Sequence, residues 1–248
     1  LAHLISGKVD ALETDLLPRY DLFDAWYRLL NCGYRVPLVG GSSRASNAGA
    51  LGAVRTFARL APGEELSYRA WIEAVRAGRV FVSNGPLLSL TVDGQGPGAV
   101  LDLPAEGGTV RVRAEVRSSV PVRRLEVVAG GSVVADTLSS RAELEIDLPV
   151  SVSGWLAARC HGDAEVLGGV GPQHACAHTA PVYLQVAGCP LRPDPQAVAS
   201  VVAELDRLLP WAEGEGVFAN EDQRRHYGVI VQAARGELLR RQGELDNS

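Results

Sequence analysis

Short runs of alternating apolar and polar residues, separated by turn residues about every ten positions, dominate the middle of this chain. Thr109–Arg117 is the clearest run, because valine or alanine alternates there with arginine or glutamate. Successive side chains of a β-strand point to opposite faces, so this run predicts a strand with one dry and one wet face. Similar valine-rich runs are Leu88–Val92, Leu125–Val128, Val133–Ala135, Ala142–Leu148, Gly154–Arg159 and Val182–Val186. Together they predict a β-sandwich of about seven strands over residues 87–190.

Residues 1–86 have a different pattern, in which predicted strands alternate with amphipathic helices. The strands are predicted at Val9–Leu12, Val36–Val39, Ala53–Arg59 and Arg79–Ser83, and the helices at Asp21–Asn31 and Tyr68–Ala77. Ser67 is suited to cap the second helix, and Gly33 and Gly78 are suited to end the two helices. Alternation of strand and helix predicts a parallel sheet or part of an α/β barrel.

Residues 191–248 begin with a proline-rich linker and continue with two amphipathic helices. Val198, Val201 and Leu205 share one face of the first helix, and Val231 and Leu238 share one face of the second. We therefore expect an α/β segment (1–86), an all-β sandwich (87–190) and a helical tail (191–248).

Composition excludes several classes of function. The net charge of −5 argues against broad electrostatic binding of nucleic acid. No apolar run approaches the roughly 20 residues that cross a bilayer, so no membrane partner is expected. The four cysteines have no CxxC spacing and leave the cellular compartment open. Because the chain contains no methionine and starts at Leu1, we expect it to be the carboxyl-terminal piece of a longer product.

Several motifs follow one another in the order of a known family. They are LISGKVDALE (4–13), WYRLLNCGYRVPLVGGSS (26–43), RTF (55–57), AGRVFVSNGPLL (77–88), SVPV (119–122) with LEV (125–127), SGWLAAR (153–159) and HTAPVYL (178–184). This series resembles the carbaryl-hydrolase-like (CehA/McbA) family of PHP-superfamily metallohydrolases. The resemblance covers nearly the whole chain as far as the helical tail.

The resemblance implies the end of a PHP barrel, an immunoglobulin-like sandwich and a helical tail. Such enzymes hold divalent metal ions (zinc, manganese or iron) at the carboxyl ends of the barrel strands. Metal-bound hydroxide then cleaves an ester, carbamate or phosphoester of a small-molecule substrate. An H-x-H pair and a further histidine would lie upstream of Leu1, in the other half of the barrel. The family's late aspartate ligand falls at Ser43, and a serine hydroxyl is a poor metal ligand, so we expect metal to be absent or weakly bound here.

Arg55 and Asn84 are the predicted substrate-binding residues. Both residues lie at ends of predicted strands, next to the expected mouth of the barrel. An arginine can bind an anionic or carbonyl oxygen with two hydrogen bonds, and an Asn-Gly turn can present amide groups. The alternative is a buried structural arginine at position 55 and, at Asn84, a corner that leads from the helical part into the sandwich. No catalytic residue is assigned, because Ser43 lacks the G-x-S-x-G context of a nucleophile.

His174, Cys176 and His178 form the one local cluster with metal-ligand chemistry. On a strand they would share a face, and Cys160 or His161 could provide a fourth zinc ligand. The alternative is an ordinary loop in which His178 is satisfied by hydrogen bonds.

Two functions are compatible with these patterns. The first is the carboxyl-terminal part of a metal-dependent hydrolase, inactive as this fragment. The second is a degenerate, non-catalytic family member whose β-sandwich acts as a binding or interaction module. Ser43 favours the second hypothesis.

Overall fold

The computed structural model describes residues 1–16, 20–42, 47, 50–138, 143–167 and 172–246. Its helices are α1 (Ala2–Ile5), α2 (Tyr20–Asn31), α3 (Tyr68–Arg76), α4 (Pro195–Gly214) and α5 (Glu221–Asp246). Its first strands are β1 (Leu12–Thr14), β2 (Leu38–Gly40), β3 (Arg55–Ala58), β4 (Val80–Ser83), β5 (Leu87–Val92), β6 (Val100–Leu103) and β7 (Gly108–Arg117). The later strands are β8 (Arg124–Ala129), β9 (Ser132–Leu138), β10 (Glu143–Val150), β11 (Gly154–Leu167), β12 (Pro172–Thr179) and β13 (Val182–Val186).

The chain divides into two compact units. One consists of residues 1–10, 25–35 and 192–248 and is helical; the other consists of residues 11–24 and 36–191 and contains all the strands. The protein is thus a mixed α/β protein with mostly β-sheet and a carboxyl-terminal helical part. No closed barrel is formed by the residues that the structure describes.

Two sheets of the β-rich unit share one hydrophobic core. The smaller has the order β10–β7–β5, and the larger runs β3–β4–β12–β11–β13–β6, with β8 and β9 added beside β11. Val110, Val112 and Ala114 of β7 are fully buried, while the arginines between them are exposed. They pack with Leu125, Leu156 and other residues of the larger sheet. The alternation in Thr109–Arg117 is therefore confirmed as a strand with one dry face.

A separate sheet consists of the parallel pair β1 and β2. The predicted parallel arrangement is correct for these two strands but wrong for β3 and β4. Those two are antiparallel, with Arg55 opposite Ser83, and β4 continues the larger sheet through antiparallel pairing with β12. A connection that contains a helix is long enough to join neighbouring strands in either direction, so α3 does not fix the direction of β4.

The local helix signals are confirmed. Ser67 Oγ accepts a hydrogen bond of 3.1 Å from the N–H of Ala70 at the start of α3, and Gly78 has the positive φ of +70° that follows a helix end. In the helical unit, the predicted faces of α4 and α5 supply buried residues such as Val201 and Leu238. None of the described helices is long and apolar enough to cross a membrane.

Candidate functional site

The carboxyl ends of β1 and β2 lie side by side, because Thr14 is paired with Gly40. The N–H of Gly41 donates to the carbonyl of Thr14 at 2.9 Å and so starts the loop that follows β2. A Cβ atom at Gly41 would collide with the carboxylate of Glu13. A side chain at this position would displace the end of the Glu13 side chain, which lies exposed against the loop where α/β proteins keep their sites.

Ser43 lies outside the described residues, so its expected replacement of a metal-binding aspartate stays a prediction. The preceding residues are held by hydrogen bonds to β3 and to the residue before it. The N–H of Gly40 donates to Thr56 Oγ1 at 2.7 Å, and Ser42 Oγ accepts from the N–H of Val54 at 3.4 Å.

Arg55 and Asn84 are at the same end of the β3–β4 pair. Arg55 begins β3 opposite Ser83, the last residue of β4, and Asn84 comes next in the chain. The Arg55 side chain is exposed, as a substrate-binding arginine at a mouth would be. Its role in binding substrate stays a prediction.

The side chain of Asn84 is buried and bonded to the backbone of β12. Its Nδ2 donates to the carbonyl of His174 at 2.8 Å, and its Oδ1 accepts from the N–H of Cys176 at 2.7 Å. The Asn84 side chain thus continues the hydrogen bonding between β4 and β12 beyond the last residue of β4. This geometry matches the structural alternative for Asn84, although a substrate contact is not tested by it.

The cluster at residues 174–178 lies on a strand and not in a loop. His174, Cys176 and His178 alternate along β12 and share one face. His161 of β11 is opposite Cys176 and shares that face, whereas Cys160 is opposite Ala177 and belongs to the hydrophobic core. Of the two residues considered for a fourth ligand, only His161 is therefore on the correct side.

The histidines of this face are held by different partners. His178 Nδ1 donates to the Thr179 carbonyl at 2.7 Å, and His174 Nδ1 is 3.2 Å from the Asp163 carbonyl. Among the described residues, no group of three or more His, Cys, Asp or Glu side chains is arranged to hold a metal ion. The face brings the predicted residues together without making them converge on one point.

A cavity of about 420 Å³ opens on this face of the larger sheet. That volume is in the range of small-molecule sites. Its lining combines charged residues with histidine, cysteine and two apolar side chains. They include Leu16, Phe23, Arg123, Arg124, Glu126, Arg159, His161, Asp163, His174 and Cys176.

An ion pair lies at the base of the cavity. Arg159 Nε is 2.5 Å from Glu126 Oε2, and these two residues are directly opposite on β11 and β8. Only 4% of the Glu126 side chain is exposed, so its charge depends on this partner and on Arg124, whose Nη1 is 3.5 Å from Oε1. The pair fixes two guanidinium groups beside the cavity.

Cys176 and His161 of this lining are in their neutral forms near pH 7. Burial raises the pKa of the Cys176 thiol to about 12, and burial also lowers the pKa of His161. A protonated thiol is a weak nucleophile. The face is therefore suited to binding a ligand and not to covalent catalysis through Cys176.

His178 is fully buried, and its ring lies 4.8 Å from the ring of Phe23. Burial lowers its pKa to about 3, partly offset by its hydrogen bond to the Thr179 carbonyl, while Arg159 lowers it further. His178 is therefore neutral at physiological pH, as the alternative of a satisfied histidine predicts.

Sequence reasoning missed Glu13, Glu126 and Arg159 as site residues. A signal was present for the last two, because each is a charged residue inside an otherwise apolar strand run. Their pairing depends on the register of β8 against β11, which the sequence does not specify.

No protein-family model matches the chain, and no curated protein matches it. The fold defines it as a mixed α/β protein with a β-rich unit, and that unit contains a cavity lined in part by arginines. The resemblance to the CehA/McbA family stays a prediction.

Replacing Asn84 with aspartate tests its structural role. The carboxylate would put an acceptor against the His174 carbonyl and bury a charge, so we expect Asn84→Asp to lower the free energy of unfolding by about 2–3 kcal/mol. Urea unfolding measures this change. The control is Asn220→Asp, since Asn220 Oδ1 accepts from the Gln223 N–H at an exposed position where aspartate serves equally well. Equal midpoints for the two variants would contradict the structural role.

Acid stability tests the burial of His178. The unfolded chain takes up a proton on this histidine near pH 6.5, whereas the folded protein does so only near pH 3. The contribution of neutral His178 to the free energy of unfolding is therefore complete above pH 6.5 and is lost as the pH falls towards 3. At pH 5 the loss amounts to about 2 kcal/mol. We expect the neutral variant His178→Gln to flatten the dependence of unfolding free energy on pH between 6.5 and 4. The exposed-residue variant His226→Gln should keep the wild-type slope, and a wild-type slope in His178→Gln would refute the prediction.

Proposed function

We propose that this chain is the carboxyl-terminal part of a PHP-type metal-dependent hydrolase similar to the CehA/McbA enzymes. Its reaction would be the cleavage of an ester, carbamate or phosphoester. In this proposal β1 and β2 belong to the barrel, and the two sheets that share a core are the immunoglobulin-like domain. The ordered series of motifs supports the family.

The observation that carries the proposal is the parallel pair β1–β2 with Glu13 at its carboxyl end. Parallel strands usually belong to larger sheets covered by helices on both faces, and two strands of three residues are too short for a stable sheet alone. The pair is therefore suited to complete a larger barrel. Glu13 and Arg55 are the residues of this chain that we propose for contact with substrate at the mouth.

The described residues do not fit a complete metal site. The family's aspartate position is Ser43, and no three potential ligands converge in the described part of the chain. We therefore assign no hydrolytic step to this chain and expect the 248-residue chain to be inactive. The metal ligands of the proposed enzyme would come from the upstream half of the barrel.

The test compares two Glu→Gln variants in the full-length product of the gene. We expect the full-length protein to hydrolyse p-nitrophenyl acetate, a p-nitrophenyl carbamate or bis(p-nitrophenyl) phosphate with added Mn²⁺, Zn²⁺ or Fe²⁺. Loss of the Glu13 charge at the mouth should lower kcat/KM at least about tenfold in Glu13→Gln. Glu106→Gln, in an exposed turn of the β-rich unit, should keep wild-type activity.

Two results would overturn the hydrolase proposal. One is an upstream coding sequence without an H-x-H strand together with no turnover of any of the three substrates. The other is an active full-length protein in which Glu13→Gln and Glu106→Gln behave alike, since the mouth would then lie elsewhere.

A second candidate function is a non-catalytic binding module, and the cavity of the larger sheet favours it. The cavity is built entirely within the β-rich unit, and its cysteine is held in the unreactive thiol form. We infer that this unit binds a small molecule whether or not the complete protein is an enzyme.

Filling the cavity tests the binding function. Cys176 is part of the lining, so the larger ring in Cys176→Phe should occupy ligand space, while Cys189→Phe changes an exposed cysteine outside the cavity. In a ligand-observed NMR screen of small aromatic compounds, we expect hits for the wild type and Cys189→Phe that disappear in Cys176→Phe. An identical set of hits for all three proteins would exclude the cavity as the binding site.

A further inference from the structure

We propose that the cavity of the larger sheet binds a small organic anion, whose charged oxygen atoms contact Arg123 and Arg124 and whose apolar part contacts Phe23 and Leu16. This inference rests on the binding function proposed above and is independent of the hydrolase proposal.

Two cross-strand rows of side chains form the base of the cavity. In one row, His161 is opposite Arg124 on one side and opposite Cys176 on the other. In the next row, Arg159 lies between Glu126 and His178 in the same way. Directly opposite side chains in a sheet are about 5 Å apart, so each row presents its groups together.

Several hydrogen-bond donors of this lining are guanidinium groups. Arg123, Arg124 and Arg159 carry three guanidinium groups, and the lining carboxylates are those of Glu126 and Asp163. Both oxygens of the Glu126 carboxylate already have arginine partners, at 2.5 and 3.5 Å. An arginine has five N–H donors in a fork that matches a carboxylate or phosphate. A ligand with a negatively charged acceptor group would fit the forks of Arg123 and Arg124 in exchange for the ion pairs that now occupy them.

Arg123 and Arg124 are the most accessible of these groups. Their side chains are 63% and 41% exposed, and their ion pairs with Asp163 and Asp136 are 3.3 and 3.4 Å long. Exposed ion pairs contribute little to stability, so a ligand can replace them at low cost. The N–H of Arg123 donates to the His161 carbonyl at 2.9 Å, which fixes the backbone that carries both arginines.

A bulge in β11 shapes the rim. The pairing of β11 with β12 shifts between His161 and Glu165, so that β11 has extra residues there. Gly162 permits the bulge to approach the carbonyl of Pro121, which any larger side chain would block. Bulges of this kind redirect side chains next to binding sites, and here the bulge carries Asp163 to the rim.

The apolar part of the lining selects the rest of the ligand. Leu16 and the partly buried Phe23 are the large apolar side chains of the lining. An aromatic or aliphatic group packed there loses contact with water, which favours binding roughly in proportion to the area covered. Together with the arginines, these side chains favour a compact ligand with one charged and one apolar end.

The test uses three probes of similar shape and isothermal titration calorimetry on the 248-residue chain. They are 3-phenylpropanoate, its neutral amide 3-phenylpropanamide, and phenyl phosphate. We expect saturable binding of at least one anion, at least tenfold tighter than the amide. Tighter binding of phenylpropanoate indicates a carboxylate ligand, and tighter binding of phenyl phosphate indicates a phosphate ester.

Arg124→Gln is the matched variant, because it removes the charge and keeps a polar side chain of similar length. It should weaken binding of the preferred anion at least tenfold and leave the amide unchanged, whereas Arg111→Gln, on the exposed face of β7, should change neither. Arg159 is avoided because its loss would leave Glu126 buried without its closest partner. Thermal unfolding confirms that each variant is folded.

The outcomes separate the two proposals. If the amide binds as tightly as the anions and Arg124→Gln has no effect, the anion inference is wrong although the cavity binds ligands. If no probe binds the wild type and the fragment screen also gives no cavity-dependent hits, the binding function itself is wrong.

Discussion

The alternation of side chains along β11 is the constraint on which the rest of the β-rich unit depends. Leu156, Ala158 and Cys160 point into the core that the two sheets share, so Arg159 and His161 must point to the opposite face. The same backbone therefore supplies the hydrophobic contacts that hold the sheets together and the polar groups that line the cavity. A slip of one residue in register would exchange these two sets and place a guanidinium in the core.

Charges beside such a sheet are stable only in pairs. The Glu126 carboxylate is almost completely buried, and it persists because the register of β8 against β11 sets Arg159 directly across from it. Desolvation of both ions consumes much of their attraction, so the pair adds little net stability. The pair instead fixes the positions of the two side chains, since a rotation of either one would leave the buried Glu126 charge without its closest partner. His178 is buried in its neutral form, in which its ring makes a hydrogen bond to the Thr179 carbonyl and a contact with the Phe23 ring.

Local patterns predicted much of the fold. Strand β7 and helices α3, α4 and α5 were predictable because periodicity and capping residues act within a few positions. Strand β12 was not, because its alternation of alanine with histidine or cysteine lacks a contrast between strongly apolar and charged residues. The antiparallel course of β3 and β4 depends on which sheet edge is available. Arg55 and Asn84 lie at the same end of the β3–β4 pair, and their role in binding substrate stays a prediction. The pairing of Glu126 with Arg159 required a register that no short-range signal encodes.

The two-faced construction of β11 has a consequence for how this protein can change over generations. Residues at alternate positions of β11 are under different constraints. The inward-facing residues are constrained by packing in the core, and the outward-facing residues by the molecule that occupies the cavity. Substitutions in the outward set can retune ligand preference while the inward set preserves the fold, so the site can diversify without first acquiring compensating stability. Paralogues built on this sheet would then be expected to share their interior and differ mainly in the outward-facing set.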